Sequence, residues 1–368
     1  MTTTPNGLPI RQRDTTPAAG SSQARRSPHE TVQDMLDALA HFSALHAFAV
    51  LGIADLLDPR QHVQDVAEQC DVRPDLLRRV LRDLTTSGIV HSDKPGYFAL
   101  TAAGATLRSD RPDSMRAAVI VAAQPPWLAP IAQLPRLLSR GRLILPGDHA
   151  SLDDYLLDHP DEQADLAERA RSYRIARSIA AQNFSGVGTI VDVGGGGAVA
   201  AEVLATYPNC SAILLDRPQV AERAQITMDK LGLAKRCWIV SGDLFAPVPT
   251  ATATGTTVYV LANLLHNWGD EEVVRILTQV RTAMLATMKA TGGKTELWIA
   301  DIVLSSGDGP HPGTAADLRM MMTSPSGGER ALSEYVNLFD LVGFRMKQIT
   351  PLPRSGGLTL LAATPGYR

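Results

Sequence analysis

From residue 189 onward, short apolar segments alternate with amphipathic segments of helical spacing, and this restricts the fold more than any other feature. The apolar segments have the length of strands that are buried on both faces of a sheet. Their alternation with helices predicts an α/β fold with a Rossmann-like, doubly wound parallel sheet. The predicted strands are Thr189–Val193, Ala212–Leu215, Trp238–Val240, Thr257–Leu261 and Leu297–Val303. Two later strands, Arg345–Thr350 and Thr359–Ala363, could form an antiparallel hairpin at the sheet edge.

Three segments precede this predicted α/β domain, which we place at residues 183–368. Residues 1–28 are rich in Thr, Pro, Ser and Gln, so we expect a disordered tail and not a signal peptide. Residues 29–110 read as helices followed by two short strands, which is the order of a winged helix. Residues 111–182 have helical spacing interrupted by prolines and predict a helical connector.

The composition of the 368-residue chain is that of a globular protein, with 45% hydrophobic and 20% charged residues. The net charge of −3 gives no reason to expect a nucleic acid or a membrane as partner. Cys70, Cys210 and Cys237 lie far apart and form no CxxC pair, which fits a cytoplasmic protein without disulfides. No cluster of His, Asp or Glu has metal-ligand spacing, so we expect no metal.

A glycine run after the first predicted strand points to a cofactor. The sequence Val191-Asp192-Val193-Gly194-Gly195-Gly196-Gly197 lets a ligand approach the backbone at the start of a helix. Asp216 ends the second strand, where a carboxylate can accept both hydroxyls of a ribose. Asp243 ends the third strand and could accept an adenine amino group, with Leu244 or Phe245 against the ring. Together these strand ends predict a nucleoside cofactor.

NAD is the competing cofactor for such a pattern. Gly194 and Gly196 are followed by Val199 where the dinucleotide fingerprint has its third glycine. No second domain of dehydrogenase type follows either. The glycine spacing by itself does not decide between the two cofactors.

His266 follows the fourth predicted strand, in the segment Leu264–Glu272. The carboxyl end of that strand faces the cofactor crevice of a doubly wound sheet. Histidine can take a hydroxyl proton near neutral pH, because its ordinary pKa is about 6.5. An interior histidine held by hydrogen bonds is the alternative interpretation, and it stays open on these residues alone.

The order of the motifs resembles the small-molecule O-methyltransferases related to plant caffeate and bacterial polyketide methyltransferases. The motifs are Val191–Gly196, Leu214–Pro218, Gly242–Phe245, Leu264–Glu272 and Gly327–Arg330, and the resemblance extends over residues 30–363. It implies a class I methyltransferase fold and S-adenosylmethionine as cofactor. It also implies a homodimer formed by the N-terminal domain, which in the family roofs the partner's active site. The acceptor would be the hydroxyl, preferably phenolic, of a small aromatic secondary metabolite, as in antibiotic biosynthesis.

The resemblance also implies roles for single residues. It makes His266 the general base, Asp301 an acid that orients this histidine, and Glu329 a second acid near the substrate. The candidate cofactor-binding residues are Asp192, Gly194, Gly196, Asp216, Arg217, Asp243, Leu244, Phe245 and Trp268. The candidate substrate-binding residues are Asn263, Asp317, Met320 and Met321.

Two other functions stay open on the sequence. Some relatives bind the cofactor but catalyse hydroxylation, decarboxylation or rearrangement, although His266 favours methyl transfer. The positions that depart from the family's usual residues are Ala198, Ala262, Asn267 and Gly269. A DNA-binding regulator is the second alternative, because the helix predicted at 74–87 carries several arginines. Aspartates alternate with these arginines, which favours a solvated face or a dimer interface.

Overall fold

The computed structural model describes residues 27–111, 113–141, 145–149, 152–162, 175–324, 326–353 and 357–366. The predicted disordered tail lies outside this part except for Ser27 and Pro28, and so do residues 163–174 of the predicted connector. The described chain runs from a small helical unit through connecting helices into a large α/β unit.

The N-terminal unit has the predicted helices and hairpin, with one additional short strand. A reciprocal capping box between Ser27 and Glu30 starts its first helix. The three strands form a small antiparallel sheet in the order β1-β3-β2. The elements are α1 (Pro28–Val50), α2 (Ile53–Leu56), β1 (Gln61–His62), α3 (Val63–Gln69), α4 (Pro74–Thr86), β2 (Val90–Lys94) and β3 (Tyr97–Leu100). Their shared core is built on large apolar side chains such as Phe48, Leu81 and Phe98.

One face of α1 is apolar, and the residues that the structure describes do not cover it. Val32, Met35, Leu36 and Leu39 follow helical spacing and keep 59, 76, 65 and 63% of their surface exposed. A contiguous apolar patch of this kind marks an interaction surface.

The connecting region is helical where it is described. Its helices are α5 (Arg116–Ala122), α6 (Pro125–Arg140), α7 (Leu152–Asp158) and α8 (Ile175–Ala180). The predicted break at Pro125-Pro126 is the start of α6, because the fixed φ of proline suits the first helical turn. Among the described helices, none alone is long and apolar enough to span a membrane. The pair α5 and α6, bent by 46°, meets that test by length and composition only.

The C-terminal unit is a doubly wound α/β sheet, as predicted. Its strand order is β10-β11-β8-β7-β4-β5-β6, in which β11 runs antiparallel to both of its neighbours, β10 and β8, and all other neighbouring strands pair in parallel. The strands are β4 (Val187–Val193), β5 (Ser211–Asp216), β6 (Cys237–Ser241), β7 (Thr256–Ala262), β8 (Thr295–Leu304), β10 (Phe344–Pro351) and β11 (Leu358–Pro365). A two-residue strand, β9 (Arg330–Ala331), pairs with the end of β8 and was not predicted.

Helices cover both faces of this sheet. On one face α8, α9 (Ala198–Thr206) and α10 (Pro218–Lys230) enclose one apolar core. On the other face α11 (Asp270–Thr291) and α13 (Leu332–Val342) enclose a second one. The strand order reverses at β4, which has β5 on one side and β7 on the other. A crevice forms at the carboxyl ends of the strands at such a reversal, and ligands of open α/β sheets bind there.

The core under α11 fixes the strand ends that line this crevice. Leu277 of α11 is completely buried, whereas Leu285 of the same helix is 39% exposed. We expect Leu277→Ala to lower the free energy of unfolding by about 2–5 kcal/mol, because it leaves a cavity in a packed core. Leu285→Ala, the matched control, is expected to lower it by about 1 kcal/mol at most. Equal losses in urea unfolding would contradict the described packing of α11.

Candidate active site

The glycine turn after β4 is supported from beneath by Asp192. This side chain is completely buried, and its Oδ2 accepts a hydrogen bond from the Ala200 N–H at 3.2 Å. A Cβ atom on Gly195 would overlap its Oδ1, so only glycine allows the turn to close over the carboxylate. Burial raises the pKa of Asp192 to about 7. A side chain enclosed in this way does not reach a ligand, so Asp192 holds the turn instead of binding the cofactor directly.

The turn itself has the backbone conformation that glycine permits. Gly194, Gly196 and Gly197 have φ angles of 68°, 64° and 82°. Gly197 is the N-cap residue of α9 and has no side chain to cap the helix, and the Ala200 N–H in the first helical turn is bonded to Asp192 instead. Because the glycines carry no side chains, they leave room for a small ligand to approach the backbone closely.

Asp216 ties the end of β5 to this turn. Its Oδ2 accepts the Gly196 N–H at 3.0 Å, and its Oδ1 accepts the Arg217 N–H at 2.8 Å. Burial raises its pKa, while the two N–H donors act in the opposite direction. Arg217 caps α10 and its side chain is exposed, so it stands at the outer rim of the crevice.

The end of β6 continues the same edge. Asp243 is exposed, and its Oδ1 accepts the Phe245 N–H at 2.9 Å. Phe245 packs edge-on against Trp268 with ring centroids 5.0 Å apart. Leu244 lies beside Gly194, where a Cβ atom on the glycine would come within 3.3 Å of it. The sequence-predicted cofactor residues are therefore brought together at the ends of β4, β5 and β6.

His266 lies in a helical turn directly after β7, at the same edge of the sheet. Only 8% of its side chain is exposed. Its Nδ1 lies 3.3 Å from Oε1 of Glu329 and 3.9 Å from Oδ1 of Asp301. The three predicted catalytic residues thus form one cluster, with Glu329 as the nearer acid. Because Nδ1 faces the acids, Nε2 is the nitrogen that remains for a proton from elsewhere.

The two neighbouring acids favour the protonated form of His266. Burial disfavours the imidazolium, but the contact with Glu329 and the negative charges of Asp301 and Glu329 outweigh it, so the pKa of His266 is raised. Arg330 acts in the opposite direction. Asp301 is completely buried, and this burial raises its pKa to about 6. Its Oδ1 accepts the Leu264 N–H at 3.2 Å.

Arg330 holds the segment that carries His266 through hydrogen bonds, a role that was not predicted from the sequence. It is buried and donates hydrogen bonds to the carbonyl oxygens of Leu265 at 3.0 Å and Trp268 at 2.7 Å. Its Nε donates to Asp270 at 2.9 Å. Two of these partners are backbone atoms, which no residue pattern reveals.

The four predicted substrate-binding residues occupy different kinds of position. Oδ1 of Asp317, on α12 (Thr314–Thr323), accepts the Glu329 N–H at 2.9 Å and so holds the acid next to His266. Met321 is 36% exposed and lines an open pocket, and Asp317 is among its neighbours there. Met320 is half-buried and does not line that pocket. Asn263 is exposed, and its φ of 53° turns the chain out of β7.

Comparison with known proteins identifies the family. A family model described as the O-methyltransferase domain matches residues 160–345, and one described as the O-methyltransferase dimerisation domain matches residues 29–110. A phenazine O-methyltransferase of Lysobacter antibioticus is 33% identical over 327 residues, covering 88% of this chain and 92% of the relative. A mitomycin biosynthesis 6-O-methyltransferase of Streptomyces lavendulae is 31% identical, covering 91% of this chain and 95% of the relative.

A solved structure gives the same result. CalO1, a methyltransferase in calicheamicin biosynthesis in its SAH-bound form, superposes with a TM-score of 0.77 at 30% identity. The match covers 92% of this chain and 98% of that one. The fold is that of a class I methyltransferase with an N-terminal helical dimerisation domain. The chain belongs to the O-methyltransferase family, and its cofactor is S-adenosylmethionine.

The residues present fit this cofactor. The left-handed glycine turn leaves the open backbone that a methionine portion requires. Asp216 stands at the end of β5 and Asp243 directly after β6, the two positions for which the sequence predicts contacts with ribose hydroxyls and an adenine amino group. Among the described residues, no three His, Cys, Asp or Glu side chains are grouped to hold a metal ion.

The glycine turn can be tested by adding one methyl group. We expect Gly195→Ala to displace the turn from Asp192 at a cost of about 1–3 kcal/mol. That cost corresponds to roughly 5- to 150-fold weaker binding of S-adenosylmethionine in calorimetry. Gly309→Ala is the control, because a Cβ atom there meets no atom within 4 Å. Unchanged affinity in Gly195→Ala would show that this turn does not contribute to cofactor binding.

Proposed function

We propose that this enzyme methylates a phenolic hydroxyl of a small aromatic secondary metabolite, with His266 as the general base. The observation that carries the proposal is the buried contact of His266 with Glu329 and Asp301, at the sheet edge that also carries the cofactor residues. A relative named as a phenazine O-methyltransferase supports an aromatic acceptor. Met321 at the open pocket suits a flat ring, because its sulfur packs well against aromatic faces.

The strength of the base favours a phenol over an aliphatic alcohol. A phenolic hydroxyl has a pKa of about 10, whereas the pKa of an aliphatic hydroxyl is far higher and resembles that of water. The raised pKa of His266 reduces the difference in pKa between the base and a phenol, so proton transfer can accompany attack. The difference in pKa from an aliphatic hydroxyl stays much larger.

The chain's own residues do three things in this mechanism. The glycine turn, Asp216 and Asp243 bind and orient the cofactor, and Leu244, Phe245 and Trp268 exclude water beside it. S-adenosylmethionine, when bound, supplies an electrophilic methyl group. His266 removes the acceptor's proton: the O–H bond breaks, the proton goes to Nε2, and the oxygen keeps the electron pair.

The two acids stabilise the histidine after it has taken this proton. Glu329 and Asp301 both face Nδ1, so the N–H on that side points at negative charge when the ring becomes imidazolium. Arg330 holds the turn around the ring through the carbonyl oxygens of Leu265 and Trp268. The geometry of the base is therefore set before the acceptor arrives.

We also propose that the enzyme is a homodimer in the cytoplasm. The match to a dimerisation domain supports self-association, and the exposed apolar face of α1 (Val32, Met35, Leu36 and Leu39) is the surface best suited to it. The three cysteines are free, which is consistent with a reducing compartment.

Replacing the base tests the proposal. We expect His266→Gln to lower kcat by about 10²- to 10⁴-fold while the affinity for S-adenosylmethionine stays within about twofold, since general base catalysis has this magnitude. His91→Gln, at an exposed position on β2, is the control and should leave kcat unchanged. A loss of cofactor affinity as large as the loss of kcat would instead assign His266 to cofactor binding.

The pH dependence of kcat/KM gives a second test. The pKa of His266 is raised above 6.5, so activity should be lost as the pH falls through a value above 6.5. Glu329→Gln removes the nearest negative charge and should move this acidic limb to lower pH. Glu296→Gln, at the far end of β8 beside Trp298, should leave the limb in place. An acidic limb at or below pH 6.5 in the unaltered enzyme would contradict the proposed base.

A further inference from the structure

Tyr335 of α13 is completely buried beneath the His266 cluster, and its hydroxyl is directed at a charged group. The hydroxyl donates a hydrogen bond to Oδ2 of Asp301 at 3.1 Å. The surrounding side chains belong to the apolar core under α11 and α13, which offers a tyrosine hydroxyl few partners. A buried hydroxyl without an acceptor costs stability, so the pairing with Asp301 is specific.

Asp301 depends on this donor. Among the described residues, its carboxylate accepts two hydrogen bonds, one from the Leu264 N–H to Oδ1 and one from Tyr335 to Oδ2. The same Oδ1 faces Nδ1 of His266 at 3.9 Å. Loss of the tyrosine donor would leave Oδ2 of Asp301 buried without a hydrogen-bond donor. This loss would destabilise the ionised form of Asp301 more than the protonated form.

We propose that Tyr335 is a positioning residue that acts on His266 through Asp301, holding this carboxylate ionised and turned toward the imidazole. Tyr335 does not touch the base, and its effect passes through one hydrogen bond and one charge–charge contact. Its importance for catalysis rests on the proposed function of His266. The coupling between the two residues can be measured without turnover.

The sign of the effect follows from the groups around the cluster. Asp301 on β8 and Glu329 before β9 face His266, and Tyr335 on α13 faces Asp301. Arg330 on β9 adds a positive charge that is itself paired with Asp270. The negative charge on Asp301 raises the pKa of His266. Without the tyrosine hydroxyl, the pKa of Asp301 rises above about 6, so less of its charge is present at neutral pH. The pKa of His266 then falls.

Tyr259 provides a matched control for this substitution. It is completely buried in the same apolar core, and its hydroxyl forms a hydrogen bond with Thr287 at 2.8 Å. Thr287 lies in the C-terminal part of α11, whereas the His266 turn precedes the start of this helix. Tyr259→Phe therefore removes a buried hydroxyl at a similar cost to stability without touching the cluster.

The test is an NMR titration of the His266 ring in the full chain, assigned by His266→Gln, in the unaltered enzyme, Tyr335→Phe and Tyr259→Phe. We expect the pKa of His266 to fall by about one unit in Tyr335→Phe, the scale of a nearby opposite charge, and to stay unchanged in Tyr259→Phe. An unchanged pKa in Tyr335→Phe, or equal shifts in both variants, would overturn the proposal.

A second variant covers the case in which Tyr335→Phe does not fold. Site-specific 3-fluorotyrosine at position 335 keeps the hydroxyl and makes it a stronger donor, so the pKa of His266 should stay at or above its original value. A lowered pKa there would overturn the proposal. If the enzyme methylates no acceptor while the titration behaves as expected, the proposed function fails and the Tyr335 coupling stands.

Discussion

His266, Asp301 and Glu329 share one buried volume at the carboxyl edge of the sheet, and two of them are acids. Burying a charge is expensive unless opposite charges or hydrogen-bond donors compensate for it. The Leu264 N–H and the Tyr335 hydroxyl donate hydrogen bonds to Asp301. Asp317 accepts the Glu329 N–H, and Arg330 donates to the carbonyl oxygen of Leu265, so these two residues hold the backbone beside Glu329 and His266. The two acids raise the pKa of His266.

The topology explains why His266 and the candidate cofactor residues meet. The strand order reverses at β4, so α9 and α10, which follow β4 and β5, cover one face of the sheet, whereas α11, which follows the His266 turn after β7, covers the other face. The loop after β6 joins the second face, where Phe245 packs against Trp268, so the strand ends bring the glycine turn, Asp216 and His266 to one crevice. Segments that are about 70 residues apart along the chain come together because parallel strands end at the same edge.

Much of this could be predicted from the sequence, because it depends on local patterns. Apolar runs identified the seven long strands, although the actual strands extend further, as β8 does (Thr295–Leu304). The acids at the strand ends, Asp216 and Asp243, were identified because a doubly wound sheet gives those positions a defined meaning. The motif order identified the family, and the comparisons confirm it together with the cofactor.

The side chains that hold the site in place were harder to predict. Asp192 reads as a cofactor residue but is enclosed beneath the glycine turn, since the orientation of a side chain at a strand end depends on the loop that covers it. Arg330 and Tyr335 were missed, because one binds backbone carbonyl oxygens and the other binds an acid 34 residues away. The strand β9 has only two residues, so it is too short to show the alternation of apolar and polar residues by which a strand is predicted.

We propose that this site transfers a methyl group to a phenolic oxygen. The most direct measurement uses S-adenosylmethionine labelled in its methyl group, an aromatic acceptor with a phenolic hydroxyl, and mass spectrometry and NMR of the product. We expect a product that carries the label on oxygen, with one S-adenosylhomocysteine formed for each methyl transferred. A product without the label, formed only when S-adenosylmethionine is present but not consumed, would contradict it.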